Sequence, residues 1–202
     1  MNAKNQLLKI QYRQLEHDKL FHPDILCLPS QRRAAHMAFH FAKYAGKFVE
    51  AKQLQDRELL KTTLIDTFII TVATANLFNK ELSGFESVKS HVSNSELSDL
   101  AKNIASHSSA IVNDIFTYTA DEITIASGRI AKAIESLDHF ENYDYVNSIL
   151  INIDTILSTV LVSSLFLNID LESETTARLN AVERKSIFFN EFQNIETMQR
   201  SS

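Results

Sequence analysis

Residues that interrupt helices or cross-link a fold are scarce in this chain. Its 202 residues include three glycines, two prolines, one cysteine and no tryptophan. A sheet of several strands needs tight turns rich in glycine and proline, so this composition argues against one. Because 45% of the residues are hydrophobic, there is enough apolar surface for a continuous core without disulfides. The composition therefore predicts an all-α protein.

Cysteine usage and charge restrict the compartment and the partners. Cys27 is the single cysteine, so it forms no intramolecular disulfide. No charged-then-apolar signal segment opens the chain, and we expect a cytoplasmic protein. The formal net charge of -5 offers no broad attraction to nucleic acid or to anionic lipid, so neither is an expected partner.

The longest apolar stretch, residues 150–169, has the length of a membrane-spanning helix. Asp154 and several Asn, Ser and Thr residues interrupt it, and its uncharged part, residues 155–169, is short for crossing a bilayer. We expect a helix buried on most sides in a helical bundle, and no membrane partner.

An internal repeat organises the chain. Residues 64–78 (LIDTFIITVATANLF) and 152–166 (NIDTILSTVLVSSLF) are identical at seven of 15 aligned positions. The two copies place Asp66 and Asp154 at equivalent positions. Upstream of each copy stands a glycine, Gly46 or Gly128, and we expect these glycines at close helix–helix contacts, because glycine inside a helix costs about 1 kcal/mol relative to alanine. Self-similarity of this kind predicts two related units.

Hydrophobic periodicity predicts a series of helices. Their expected ranges are 2–21, 31–55, 57–78, a helix from 93, 121–137, 146–167 and 173–198. Ser30, Asp56 and Ser93 are the expected N-caps, and a break is expected near Asn113 or Thr119. Residues 80–92 are mostly polar and are expected to connect the two halves. The predicted units are residues 1–85 and 93–202, packed on each other as a pseudo-dimeric bundle.

The order of parts in each unit resembles that of the all-α nucleoside triphosphate pyrophosphohydrolases, the MazG-like superfamily. The parts are a helix with a central glycine, a short polar connection, and an apolar helix with an aspartate in its first half and a Leu-Phe end. In that family, Glu-Glu-x-x-Glu and Glu-x-x-Asp patterns hold magnesium ions that help to hydrolyse a nucleotide to its monophosphate and pyrophosphate. The resemblance covers residues 31–82 and, more weakly, 121–189, and it implies two tandem MazG-like units.

The catalytic carboxylates of that family are largely replaced in this chain. The positions that should be acidic around the two glycines are Lys43, Tyr44 and Lys47, and Ile125, Ala126 and Arg129. The Glu before each aspartate is replaced by Thr63 or Ile151. The candidate catalytic residues that remain are Asp66, Asp154, Glu50 and Glu135.

Magnesium requires hard oxygen ligands in near-octahedral geometry. One aspartate per unit, facing a lysine or arginine, is not such a site, so the chain is expected to be degenerate as an enzyme. An active Mg²⁺-dependent hydrolase remains the alternative, with a composite site that adds Asp121 and Glu122 to the four candidates. Alternatively, Asp66 and Asp154 serve the structure by pairing with Lys43, Lys47 or Arg129 across the bundle.

A basic pattern stands where the carboxylates are missing. His36, His40, Lys43 and Lys47 recur at spacings that place them along one side of a helix. With Arg129 of the second unit, they are the candidate ligand-binding residues for a nucleotide or another phosphorylated molecule. The alternative is a solvated basic face with partly packed histidines. His36 and His40 have metal-ligand spacing, but no zinc-hydrolase pattern surrounds them, so no metal site is predicted there.

Three functions remain open from the sequence. The chain is a degenerate MazG-like protein that binds a phosphorylated ligand or acts through assembly, an active pyrophosphohydrolase, or a structural or partner-binding protein. Related helical units bury apolar faces by dimerising, so a homodimer is expected.

Overall fold

The described part of the chain is helical throughout. The computed structural model describes residues 2–92, 96–107, 114–139 and 141–192, and no β-strand occurs within these ranges. The principal α-helices are Ala3–Phe21 (α1), Pro23–Leu26 (α2), Ser30–Leu54 (α3), Arg57–Leu77 (α4), Glu86–Lys89 (α5), Leu97–His107 (α6), Ile115–Asp138 (α7), Tyr145–Leu167 (α8) and Leu171–Glu183 (α9). A 3-10 turn spans Leu82–Gly84. The prediction of an all-α protein is confirmed.

Four long helices form the centre of the molecule. Helix α3 packs against α4 and α7, and α8 packs against α7 and α4. Their inward faces carry large side chains that are fully buried, among them Phe41, Phe48, Phe68, Ile130 and Ile153. These belong to one continuous apolar cluster, as the hydrophobic content of the chain predicts.

The shorter helices cover the outside of this bundle. Helix α1 lies against α4, and α6 lies against α8. Helix α5 packs on α8, whereas α9 packs on α4 and also contacts α1. The placement of α1 and α9 on the same side of α4 is what encloses the candidate site.

Local capping explains where the central helices begin. Asp56 accepts hydrogen bonds from the backbone N–H groups of Glu58 and Leu59, both at 3.0 Å, so the predicted cap of α4 is confirmed. The predicted Ser30 cap is wrong, because the backbone carbonyl of Pro29 already accepts from the Arg33 N–H at 3.0 Å and makes Ser30 the first residue of α3. The predicted Ser93 cap lies outside the described residues.

Two boundaries differ from the sequence prediction. Helix α7 starts at Ile115 instead of residue 121, because Asp114 caps it. Thr119 lies inside this helix, where its hydroxyl donates to the Ile115 carbonyl at 2.7 Å, so no break occurs there. Asn113, the other expected break, is outside the described residues. Helix α9 ends at Glu183, well before the predicted residue 198.

The segment between the halves packs into the core and is more than a polar connection. Leu82, Phe85 and Val88 are 0%, 3% and 0% exposed. Because α5 carries Val88 onto α8, this segment joins the two halves through burial as well as through the chain.

The predicted role of two glycines is wrong. Gly46 and Gly128 lie on exposed faces of α3 and α7, and a Cβ atom at either position would meet no atom within 4 Å. Their neighbours Ala45 and Ser127 point inward instead. The Ser127 hydroxyl donates to the Ile123 carbonyl of its own helix at 2.6 Å and lies 3.4 Å from the Phe41 carbonyl across the α3–α7 contact. The close packing is therefore displaced by one residue from the glycines.

Helix α8 is long and apolar enough to cross a membrane by length and composition. In the fold, 61% of its most apolar 18-residue window is buried against other helices. Its apolar character is therefore accounted for to a large extent by its central place in the bundle.

Candidate functional site

A cavity of about 390 Å³ lies between α1, α2, α3, α4 and α9. Its size suits a small molecule. Part of its wall is apolar and includes Met37, Ile70 and Val182. Among the described residues that line it, the ionisable ones are Arg33, Lys43, Lys47, Arg178, His17, His22, His36, His40, Tyr44, Asp18 and Asp66.

Cations outnumber carboxylates in this lining. The described wall contains four lysines or arginines against two aspartates, although the whole chain has a net charge of -5. Arg33, Lys43 and Lys47 make no ion pair within 4.0 Å among the described residues. The cavity is therefore a locally positive site on an acidic protein, which favours an anionic ligand.

One side of α3 supplies most of these cations. Arg33, His36, His40, Lys43 and Lys47 follow one another at spacings of three and four residues. These spacings keep them on one side of the helix. All four α3 residues that the sequence suggested as ligand contacts line the cavity, together with Arg33. Arg129, the fifth suggested residue, is exposed on α7 and is not in the lining.

A chain of hydrogen bonds orders three of these side chains. The Lys43 ammonium lies 3.2 Å from His40 Nδ1, and His40 Nε2 lies 3.1 Å from His36 Nε2. An ammonium group only donates, so Nδ1 of His40 accepts and its proton resides on Nε2. His40 then donates to His36. The contact requires neutral His40.

The environment of His40 keeps it neutral. Burial, followed by the charge of Lys43 and the proximity of His36, lowers the pKa of His40 to about 4. Burial also lowers the pKa of Lys43. The ammonium of Lys43 lies 4.4 Å from the centre of the Tyr44 ring, which stabilises its charged form.

Asp66 also faces the cavity, but it is bonded to an arginine. Arg178 of α9 donates from Nε to Asp66 Oδ1 at 2.6 Å and from Nη2 to Oδ2 at 3.0 Å. This two-bond geometry occupies both carboxylate oxygens. The pairing with Lys43 or Lys47 that the sequence suggested is replaced by a partner 112 residues away.

Asp154, the equivalent aspartate, is held by another segment. The hydroxyl of Ser87 donates to one of its carboxylate oxygens, and the Ser87 backbone N–H lies 3.3 Å from each oxygen. Ser87 belongs to α5, which follows the first repeat. Asp66 of the first repeat is therefore bonded to α9, which follows the second repeat, and Asp154 of the second repeat is bonded to α5, which follows the first.

The remaining acidic candidates do not join Asp66. Glu50 is exposed on α3, and Glu135 pairs with Lys132 at 3.1 Å on the surface of α7. Asp121 pairs with Lys52 at 3.0 Å. None of these residues, nor Asp154 or Glu122, lines the cavity.

Magnesium does not fit the arrangement around Asp66. A Mg²⁺ site needs several convergent oxygen ligands. Here the single carboxylate is bonded to a guanidinium, and Lys43 and Lys47 line the same cavity. The residues present around Asp66 therefore do not form a magnesium site.

Comparison of the chain with family models, with curated proteins and with solved structures found no match.

Two buried polar atoms beside the cavity lack partners. Gln14 Oε1 and Arg33 Nε are buried without a hydrogen-bond partner in the described structure, and both residues line the cavity. A buried polar group without a partner is costly, and such groups in native proteins call for a bound water, ion or ligand. One acceptor and one donor are thus available to an occupant.

Sequence reasoning missed the contributions of α1, α2 and α9. His17, Asp18 and His22 lie at the end of α1, and Arg178 lies on α9. The sequence offered one signal, because His17, Asp18 and His22 lie close together at the end of the predicted helix 2–21. For Arg178 the sequence carries no local signal, because its partner is distant in the chain.

Proposed function

We propose that the chain is a cytoplasmic protein that binds a small phosphorylated ligand, such as a nucleotide, in this cavity without hydrolysing it. The observation that carries the proposal is that Arg33, Lys43 and Lys47 lie in one partly apolar cavity and form no ion pair with any residue that the structure describes. Phosphate oxygens accept charge-assisted hydrogen bonds from such side chains. The apolar wall suits a base or another uncharged portion of the ligand.

The scaffold that we propose is a pair of MazG-like units, residues 1–85 and 93–202, related by a pseudo-two-fold axis. Equivalent packing in the two units supports it. The first helix of each unit lies on the apolar helix of the same unit, α1 on α4 and α6 on α8. The α-helix that follows each apolar helix in the chain lies on the apolar helix of the other unit, α5 on α8 and α9 on α4. The aspartates follow the same pattern, because Asp66 of the first unit is bonded to α9 of the second, and Asp154 of the second unit is bonded to α5, which follows the first.

The two units differ in the residues that would meet a ligand. Gly46 and Gly128 are 82 residues apart, and the same offset relates His36, His40, Lys43 and Lys47 of α3 to four positions of α7. Those positions are occupied by Tyr118, Glu122, Ile125 and Arg129. This second set contains one arginine and one glutamate, so it lacks the excess of positive charge that the α3 residues have. Ligand binding is accordingly assigned to the cavity on α3 and α4 of the first unit, which α9 of the second unit helps to enclose, with one site per chain.

Calorimetry on the purified full chain tests the proposal. The probes are inorganic pyrophosphate, AMP, ADP and ATP, each in EDTA and again with Mg²⁺. We expect at least one of them to bind in EDTA with one site per chain. The Lys43→Gln/Lys47→Gln variant should weaken this binding by roughly 100-fold or more, because each of the two charge-assisted bonds contributes about 1.5–3 kcal/mol.

The matched control removes two lysines elsewhere. Lys61 and Lys102 each pair with an acid three residues away on the surface and do not line the cavity. The Lys61→Gln/Lys102→Gln variant should bind almost as the parent does. Absence of binding across the panel, or equal binding by the two double variants, overturns the proposal. Release of pyrophosphate or inorganic phosphate from ATP in Mg²⁺ would instead establish the hydrolase.

A further inference from the structure

The end of α1 gathers three side chains that can bind a metal ion. His17, Asp18 and His22 each offer one ligand atom, and these three atoms lie within 4.8 Å of one another. All three residues line the cavity. The cluster is separate from the His36–His40 pair, whose Nε2 atoms contact each other.

The backbone holds the three residues in place. His22 is the C-cap that follows α1, and its backbone N–H donates to the Asp18 carbonyl at 3.0 Å. Pro23 follows at the start of α2 and restricts the chain immediately after His22. The His17 ring stacks on Phe21, with ring centres 5.2 Å apart. The cluster is therefore part of ordered backbone structure.

His17 has the outer contact that metal-binding histidines generally have. Its Nδ1 lies 2.9 Å from the carboxylate of Glu183 on α9. Arg13 donates a hydrogen bond to the same carboxylate. When Nδ1 carries the proton and donates to Glu183, Nε2 keeps a free lone pair. A carboxylate behind a ligating histidine orients the ring and raises its basicity.

Asp18 has no cation within ion-pair distance among the described residues, although the charge of Arg33 acts on it from farther away. Its carboxylate accepts a hydrogen bond from Gln14 Nε2 at 2.8 Å. A carboxylate that is partly withdrawn from water is costly without a compensating charge. A bound cation supplies that charge.

An independent observation at Gln14 also indicates an occupant. This residue is 2% exposed, and its Oε1 is buried without a partner although its amide nitrogen is bonded to Asp18. A metal ion, or a water bound to that ion, gives Oε1 the contact that it lacks.

We propose that His17, Asp18 and His22 form a site for one divalent transition-metal ion, with Zn²⁺ as the best fit. Two imidazole nitrogens and one carboxylate oxygen are the donor set that Zn²⁺ accepts, whereas Mg²⁺ and Ca²⁺ prefer oxygen alone. Tetrahedral ligand atoms around Zn²⁺ stand about 3.4 Å apart. The three ligand atoms lie within 4.8 Å of one another, so binding at that spacing requires the half-buried His22 and Asp18 side chains to move toward the ion. Three protein ligands leave the fourth position open to water, Gln14 or a ligand in the cavity.

Metal alone is the probe that tests the site. Full-length chain dialysed against EDTA and then freed of chelator is titrated with Zn²⁺ by calorimetry and with Co²⁺ by visible absorption. We expect one equivalent of either ion to bind, and Co²⁺ to show the intense absorption of a tetrahedral site. His22→Gln and Asp18→Asn should each weaken binding by more than about 100-fold, since outer-shell partners alone contribute 10–100-fold.

Two further variants separate a ligand role from a general effect. Glu183→Gln should weaken Zn²⁺ binding by about 10–100-fold while one equivalent still binds. His139→Gln, which removes an exposed histidine that does not line the cavity, should leave it unchanged. Circular dichroism at matched temperature shows that each variant is folded.

Several results would overturn the metal site: no stoichiometric binding, parental affinity in the His22→Gln and Asp18→Asn variants, or loss of binding in His139→Gln alone. Pyrophosphate binding measured in EDTA is a separate readout that depends on Lys43 and Lys47. The metal site and the proposed anion site can therefore fail independently.

Discussion

Arg178 and Asp66 lie 112 residues apart in the chain and form a two-bond ion pair at 2.6 and 3.0 Å. The pair joins α9 to α4 at the wall of the cavity. The aspartate side chain is 14% exposed, but the arginine side chain is 42% exposed. Solvent therefore screens part of the attraction, and the pair contributes positioning as well as stability.

A double-mutant cycle measures this pair. Asp66→Asn, Arg178→Gln and the double variant, compared by urea unfolding, should give a coupling free energy of about 1 kcal/mol. The reference is the same cycle on the exposed Glu58–Lys61 pair of α4, for which the expected coupling is about 0.3 kcal/mol. Equal coupling in both cycles would contradict a special role for Arg178.

Ser87 should contribute to docking of α5. Ser87→Ala removes the hydroxyl bonded to Asp154, and we expect the free energy of unfolding to fall by about 1–2 kcal/mol. Ser90→Ala is the control in the same segment, because the Ser90 hydroxyl contacts the backbone carbonyl of Glu86 at 3.4 Å on the surface. Its effect should be smaller than about 0.5 kcal/mol, and a reversed order of the two effects would be incompatible with the Ser87–Asp154 contact.

The two helical glycines should be replaceable with a gain in stability. A methyl group at Gly46 or Gly128 meets no atom within 4 Å. Each Gly→Ala substitution should therefore raise the free energy of unfolding by about 0.5–1 kcal/mol. Denaturant unfolding of the single and double variants checks this value. A loss of stability would mean that another surface approaches these positions.

The pH dependence of stability should report the neutral state of His40. The folded pKa of about 4 lies below the ordinary value of 6.5, so between these values the unfolded chain takes up a proton that the folded chain does not. Stability should therefore fall as the pH decreases from 6.5 to 4. Charges near His40 are those of Lys43, His36, His22 and Asp66.

His40→Gln isolates this contribution. In metal-free buffer, the fall in unfolding free energy between pH 6.5 and 4 should be smaller in the variant by about 1–2 kcal/mol, after allowance for partial exposure of the ring. Chemical unfolding at several pH values measures the difference. Parallel curves for parent and variant would show that His40 titrates alike in both states.

Self-association is the final prediction. Large apolar side chains are exposed around the bundle, with Phe39 at 74%, Leu54 at 66% and Ile151 at 57%. Burial of such residues favours a second copy. Light scattering should give twice the chain mass of 22.9 kDa. A monomer mass over a wide concentration range would reject the homodimer.

Features encoded within a few residues could be predicted well. The shortage of glycine and proline indicated helices, and Asp56 marked the start of α4 because a cap bonds to backbone only two or three residues away. The His36, His40, Lys43 and Lys47 stripe was also readable, because helical periodicity alone places these residues on one side. By contrast, the inference that Gly46 marked a close contact was wrong, because a glycine does not specify which helix, if any, approaches it.

The sequence by itself therefore determined the helical class, the repeated Asp66 and Asp154 motif, and the basic side of α3. Tertiary packing alone decided that α1 and α9 meet on α4, which encloses that side and brings Arg178 to Asp66 and Glu183 to His17. The physical reason is the range of the interactions. Helix periodicity and capping act over one or two turns, whereas the residues that complete the cavity come together only when distant helices bury their apolar faces against the same core.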